Sequence, residues 1–147
     1  MIDAMRATSP RSRASAANDL ARMMIIVSDN VATGMLVRLL GKDAVNASLR
    51  AWGLRDTTLV WEMTLGDDIR NYALSTPREL ARLMELIATD AIISPDACAA
   101  MRDHLSRQQY LDQIPRYLPY NPYARYVGDD ASMQIYNKTG FYTGVRA

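Results

Sequence analysis

The chain has 147 residues, of which 49% are hydrophobic and 22% charged, with a formal net charge of +1. That length and composition suit one domain with its own core. Basic residues that alternate with acids, the N-terminus apart, offer no continuous surface for nucleic acid. The single cysteine, Cys98, and the single histidine, His104, exclude an internal disulfide and any multi-cysteine or multi-histidine metal site, and no cofactor is implied. Cys98 reads as a small core residue and His104 as a solvated helix residue. No apolar run reaches the roughly 18 residues that cross a bilayer, and the start lacks the apolar stretch of a secretory signal, so neither membrane nor export address is expected.

Met1 to Ala17 is rich in Ser, Arg and Ala without an apolar period and reads as a disordered tail. From Asn18 or Ser15 as cap, the stretch DLARMMIIVSDN places Leu20, Met23, Met24 and Val27 on one helical stripe and ends in Ser28-Asp29-Asn30, a hydroxyl, a carboxylate and an amide at a chain reversal. A helix over Val31–Leu40 follows, with Val31, Met35 and Leu39 on one face and Gly41 as its stop. Asp43 caps the next, which carries Val45, Leu49 and Trp52 on one side until Gly53.

Leu54 to Tyr72 has no sustained period and reads as a long surface loop, in which Glu62 beside Trp61 is a candidate acid or base against the plainer reading of a solvated carboxylate. Thr76-Pro77-Arg78-Glu79 combines an N-cap, a first-turn proline and a capping-box glutamate ahead of the stripe Leu80, Leu83, Met84 and Ile87. Ser94-Pro95-Asp96 opens a second such helix, with Cys98, Met101 and Leu105 inward. Gln109 to Tyr126 is too rich in proline for a helix and is expected to be an extended aromatic loop packed on the helices. Met133, Ile135 and Asn137 alternate with Gln134 and Tyr136, the period of a strand leading into Lys138-Thr139-Gly140.

Ser-Asp-Asn closing an amphipathic helix, then a capped Thr-Pro helix, then Lys-Thr-Gly after a strand is the order of motifs in the penicillin-recognising serine hydrolases. On these motifs, and on DLARMMIIVSDN, STPRELARLM, IPRYLP and NKTG around them, residues 17–146 resemble the class A β-lactamase family. The resemblance implies an α+β, β-lactamase/transpeptidase-like fold. In it, residues 18–147 form part of a catalytic domain: a helical part 18–108, an aromatic loop 109–127 and a strand region 131–147. It also implies a small-molecule partner, a β-lactam or related amide or ester, and a family that is typically periplasmic or secreted.

The family's roles carry over where the motifs match. Ser28 would pass a proton toward the leaving lactam nitrogen, and Asn30 would hold the substrate's side-chain amide. Asp29 would be structural. Lys138 would add positive charge beside Ser28 and the substrate carboxylate, Thr139 would bond that carboxylate, Gly140 would admit substrate to the strand edge, and the Phe141 N–H would donate to the oxyanion. Ser28 and Lys138 should then meet across a cleft at about 3 Å, with Asn30 opening into it.

Two departures accompany the matches. The family nucleophile lies in Ser-x-x-Lys, and the only lysines, Lys42 and Lys138, are preceded at that spacing by Leu39 and Ile135, so this sequence has no such motif and no nucleophile is assigned. Glu62 is followed four positions on by Gly66, which breaks the family's Glu-x-x-x-Asn. The chain thus reads as an internal piece of the domain, inactive alone, its nucleophile belonging to a missing N-terminal half. The open alternatives are a non-catalytic remnant or interaction fragment, or part of a penicillin-binding D,D-peptidase.

Overall fold

The computed structural model describes residues 10–60, 72–121, 124–129, 133–142 and 145–146. The helices are α1 (Pro10–Ile26), α2 (Asn30–Leu40), α3 (Lys42–Ala51), α4 (Pro77–Ala88), α5 (Pro95–Ser106) and the short α6 (Ala124–Val127). Thr58–Leu59 (β1) pairs antiparallel with Ala73–Leu74 (β2), and Phe141–Tyr142 (β3) pairs antiparallel with Val145–Arg146 (β4). Helices with small strand pairs agree with the α+β class. Glu62, Trp61, Gly66 and residues 1–9 lie outside the described residues.

Helix α1 packs on α2 and α5, α2 on α3, and α4 on α5. Leu86 and Ile87 of α4, Ile92, and Cys98 and Leu105 of α5 form the buried cluster, with Ile25, Trp52, Leu83, Met84 and Met101 packed against it. Cys98 is fully buried and its thiol donates to the Ile92 carbonyl at 3.0 Å, so it behaves as a small core residue with a satisfied polar atom.

The caps form where the local chemistry places them. Thr76 accepts from the Glu79 N–H and Ser94 from the Ala97 N–H, each with proline in the first turn. Glu79, however, does not reach back to close a capping box. Its carboxylate accepts from the Arg55 N–H at 2.7 Å, the Asp56 N–H at 3.0 Å and the Thr57 hydroxyl, stitching the start of α4 to the segment before β1. Those bonds, that to Asp56 first, hold its pKa below the ordinary carboxylate value.

Several expectations are corrected by packing. Pro10 to Ala17 belongs to α1, so this part of the expected tail is helical and neither Ser15 nor Asn18 is the cap. On α1, Met23 is exposed while Leu20 and Met24 are half-buried, as is Val27 just past its end. Helix α2 is sandwiched between α1 and α3, so Ala32, Gly34, Met35, Leu36 and Val37 are buried in a block while Val31 is exposed and Leu39 half-buried. Gly41, at φ 86°, ends α2 and begins α3, and Asp43 stands in the first turn of α3, where a carboxylate meets the positive end of the helix, instead of capping it. Leu80 is exposed on α4.

The segment after Gly53 is not all surface loop. Leu54 is only 1% exposed, and the buried Asn46 of α3 clasps β1 through Leu59, donating to its carbonyl at 2.9 Å and accepting from its N–H at 2.8 Å. In the aromatic run, Ile114–Tyr117 is a 3-10 helix and Ala124–Val127 a helical turn, and Tyr110, Ile114 and Tyr117 face solvent instead of covering the helices.

Candidate active site

Ser28 is placed by the end of α1. The helix stops at Ile26, Ser28 adopts φ 56°, and the Asp29 N–H folds back to the Met23 carbonyl at 3.2 Å. A left-handed residue just past a helix is usually glycine, so a serine here carries backbone strain of the sort found where a side chain must be aimed. Asp29 then caps α2: its carboxylate accepts from the Ala32 N–H at 2.7 Å, and its carbonyl accepts from the Thr33 hydroxyl at 2.8 Å. Asn30 is exposed at the first position of α2. The reversal is thus fixed on both sides of the Ser28 hydroxyl.

Lys138 approaches without a strand. Residues 133–140 are extended but have no ladder, and β3 begins only at Phe141. This corrects the expected strand from Met133 to Asn137. The alternation itself is present, with Ile135, Asn137 and Thr139 half-buried and Gln134, Tyr136 and Lys138 exposed, while Met133 faces solvent. Period-2 exposure needs only an extended chain against a surface, whereas a strand also needs a neighbouring backbone to pair with.

The structure nevertheless brings the two motifs together. The Lys138 ammonium donates to the Ser28 hydroxyl oxygen across 110 positions of sequence, and also to the Thr139 carbonyl. Although the Lys138 residue as a whole is exposed, loss of hydration around its ammonium lowers its pKa from the ordinary value. The Gly140 carbonyl accepts from the Gln113 side chain at 3.4 Å. Phe141 opens β3 in register with Arg146. Ser28, Asp29, Asn30, Lys138, Thr139, Gly140 and Phe141 therefore lie on two segments tied at the Ser28–Lys138 bond.

Gln108, which sequence reasoning passed over, and Asn137, read there only as part of the alternation, connect those segments. Gln108, 4% exposed, donates from its amide to the Ile25 carbonyl at 2.6 Å and accepts from the Tyr110 N–H at 3.0 Å. Asn137 donates from its amide to the Tyr110 carbonyl at 3.2 Å. The buried Asn137 Oδ1 has no hydrogen-bond partner among the described residues. The signal for Gln108 was slight: a pair of glutamines just past the last residue of α5, where a helix leaves carbonyls unmet.

Among the described residues, no hydrogen bond joins the His104 side chain to this site. It is half-buried instead of solvated, and burial, ahead of the opposing pull of Asp103, lowers its pKa. Among the described residues no group of three or more His, Cys, Asp or Glu side chains is placed to hold a metal ion, and no helix is long and apolar enough to cross a membrane.

The structure is similar to the crystal structure of a β-lactamase from Sphaerobacter thermophilus DSM 20745, at 31% identity and TM-score 0.72 over 87% of this chain and 46% of that one. It is also similar to PBP-A, at 31% identity and TM-score 0.63 over 70% of this chain and 38% of that one. A variant of PBP-A solved as an acyl-enzyme complex with penicillin G matches at 28% identity and TM-score 0.70, over 85% of this chain and 42% of that one. The chain therefore spans less than half the length of each of these structures. No curated protein matches it. The fold they share is the β-lactamase fold, and since the match to the β-lactamase enzyme family runs over residues 4–147, the chain belongs to that family.

Proposed function

We propose that these residues supply two walls of an acyl-transfer site of the class A β-lactamase type, acting on a β-lactam or a related amide or ester. The observation that carries this reading is the hydrogen bond from Lys138 to Ser28. A hydroxyl that accepts from an ammonium keeps its own proton free to donate, which is what a departing lactam nitrogen requires. Lys138 also places positive charge where a substrate carboxylate would lie, with the Thr139 hydroxyl as a neighbouring donor and the Asn30 amide on the opposite segment. Asp29 serves by capping α2 and so holding the reversal, and the Phe141 N–H would donate to the oxyanion.

Covalent chemistry needs a serine with an activating base, and the sequence contains no Ser-x-x-Lys. The attacking serine is accordingly assigned outside these 147 residues, and the chain alone is proposed to bind without forming an acyl-enzyme. Glu62 remains the candidate acid or base for deacylation. The likeness to PBP-A, with Gly66 where Glu-x-x-x-Asn needs its asparagine, favours a penicillin-binding peptidase as the second reading, in which the acyl-enzyme persists.

Isotopic labelling of lysine tests the proposal directly, because Lys42 and Lys138 are the only lysines. On titration with benzylpenicillin the Lys138 signal should move, that of Lys42 should not, and the intact mass should stay unchanged. A penicillin-sized mass increment on any serine overturns the assignment of the nucleophile. A Lys138 signal that ignores benzylpenicillin overturns the binding site and leaves the non-catalytic fragment.

A further inference from the structure

We propose that Gln108 is a positioning residue for the Ser28–Lys138 pair, acting as a bridge from the end of α1 to the extended segment that carries Lys138. This rests on the proposed acyl-transfer reading for its functional meaning, but the bridge itself is geometric.

Neither partner of the pair is held by regular structure. Ser28 lies past the last residue of α1, and Lys138 lies in a stretch with no strand ladder. Between them runs one continuous set of bonds. Gln108 donates to the Ile25 carbonyl at 2.6 Å, and the Gln109 N–H donates to the Ile26 carbonyl at 3.1 Å. These are last-turn carbonyls of α1 that have no partner within their own helix. Gln108 also accepts from the Tyr110 N–H at 3.0 Å, which fixes the bend of its own segment. On the far side of that segment, the Tyr110 carbonyl accepts from the Asn137 amide at 3.2 Å and the Leu105 carbonyl from the Asn137 N–H at 3.5 Å. Lys138 is the next residue.

The residue type matters because the position is buried and asks for a donor and an acceptor at once. A primary amide supplies both. Glutamate would keep the acceptor for Tyr110 and lose the donor for Ile25. Methionine would fill similar space and lose both, leaving a carbonyl and an N–H without partners in a buried place. Displacing the bridge therefore changes where Asn137 sits, and with it the reach of Lys138 to Ser28, without removing any group from the pair itself.

The test uses the full chain with labelled lysine and reads two quantities for Lys138, its contact with Ser28 and its titration. In the unaltered chain Lys138 should show the Ser28 contact and titrate below the ordinary lysine value. In Gln108→Met the contact should be lost and the Lys138 titration should rise toward the ordinary lysine value, while circular dichroism retains the helices; Gln108→Glu should fall between. If Gln108→Met unfolds the helices, Asn137→Ala, which breaks the same bridge from its other end, should give the same loss in a folded chain. Retention of the contact and of the lowered titration in a folded Gln108→Met or Asn137→Ala variant overturns the proposal, as does absence of the Ser28 contact in the unaltered chain. Failure of the acyl-transfer reading is distinct: Lys138 would then lose its contact on bridge removal as expected yet never respond to benzylpenicillin.

Discussion

Replacing Ser28 separately by alanine and by glycine should reverse the usual order of those two residues. Both variants lose the hydroxyl and its bond to Lys138, so that loss cancels in the comparison. What differs is the backbone. At an ordinary position alanine is the more stable by about 0.4–1 kcal/mol, because glycine loses more freedom on folding. At φ 56° a Cβ instead crowds the following carbonyl, and the left-handed conformation costs a non-glycine residue roughly 1–2 kcal/mol. The difference leaves Ser28→Gly more stable than Ser28→Ala by on the order of 0.5–1 kcal/mol. Urea unfolding followed by circular dichroism reads this as a higher midpoint for glycine at equal slope. An alanine variant equal to or more stable than the glycine variant would refute the strained reversal, and with it the view that the chain stores strain to aim this hydroxyl.

Other variants probe the same physics elsewhere. Ile93 is β-branched at φ 60° and largely exposed, so Ile93→Gly should raise the thermal midpoint, and a fall would argue against strain there. Asp29→Ala removes the cap of α2 and should destabilise by about 1 kcal/mol in urea unfolding, whereas Asp29→Asn, which keeps an acceptor, should lose only a small part of that. Glu79 has a folded pKa below its unfolded value, so its contribution is fully present above the unfolded value, 4.5, and is lost as pH falls through the folded one. In Glu79→Gln the acid limb of the stability profile should flatten in that window, and an unchanged limb would contradict the bonds to Asp56, Thr57 and Arg55. Leu54→Ala should destabilise by about 2–5 kcal/mol, the range for deleting a buried leucine side chain, and a loss under 1 kcal/mol would contradict its burial.

What the sequence by itself determined is what neighbouring residues decide among themselves. Thr76-Pro77 and Ser94-Pro95 start helices because hydroxyl, fixed φ and free N–H groups lie within one turn, and Gly41 ends one because its φ of 86° suits no other residue as well. Ser28-Asp29-Asn30 and Lys138-Thr139-Gly140 were legible as motifs because their residue types and their order along the chain carry the family resemblance.

Tertiary structure decided the rest, because burial and pairing depend on what lies opposite. Periodicity put Val31 inward and missed Ala32 and Leu36, since a helix packed on both sides has no single inner stripe. The alternation around Asn137 looked like a strand, but a ladder needs a second backbone that the pattern cannot reveal. The charge and hydrogen-bonding capacity of Glu79 were plain, yet its partners at Arg55, Asp56 and Thr57 appear only when α4 is set beside the segment before β1. Gln108 is the sharpest case: an unremarked polar residue after a helix became a buried bridge, because the end of α1 leaves carbonyls and Asn137, far away in sequence, presents N–H donors, which one amide side chain and its neighbours can join.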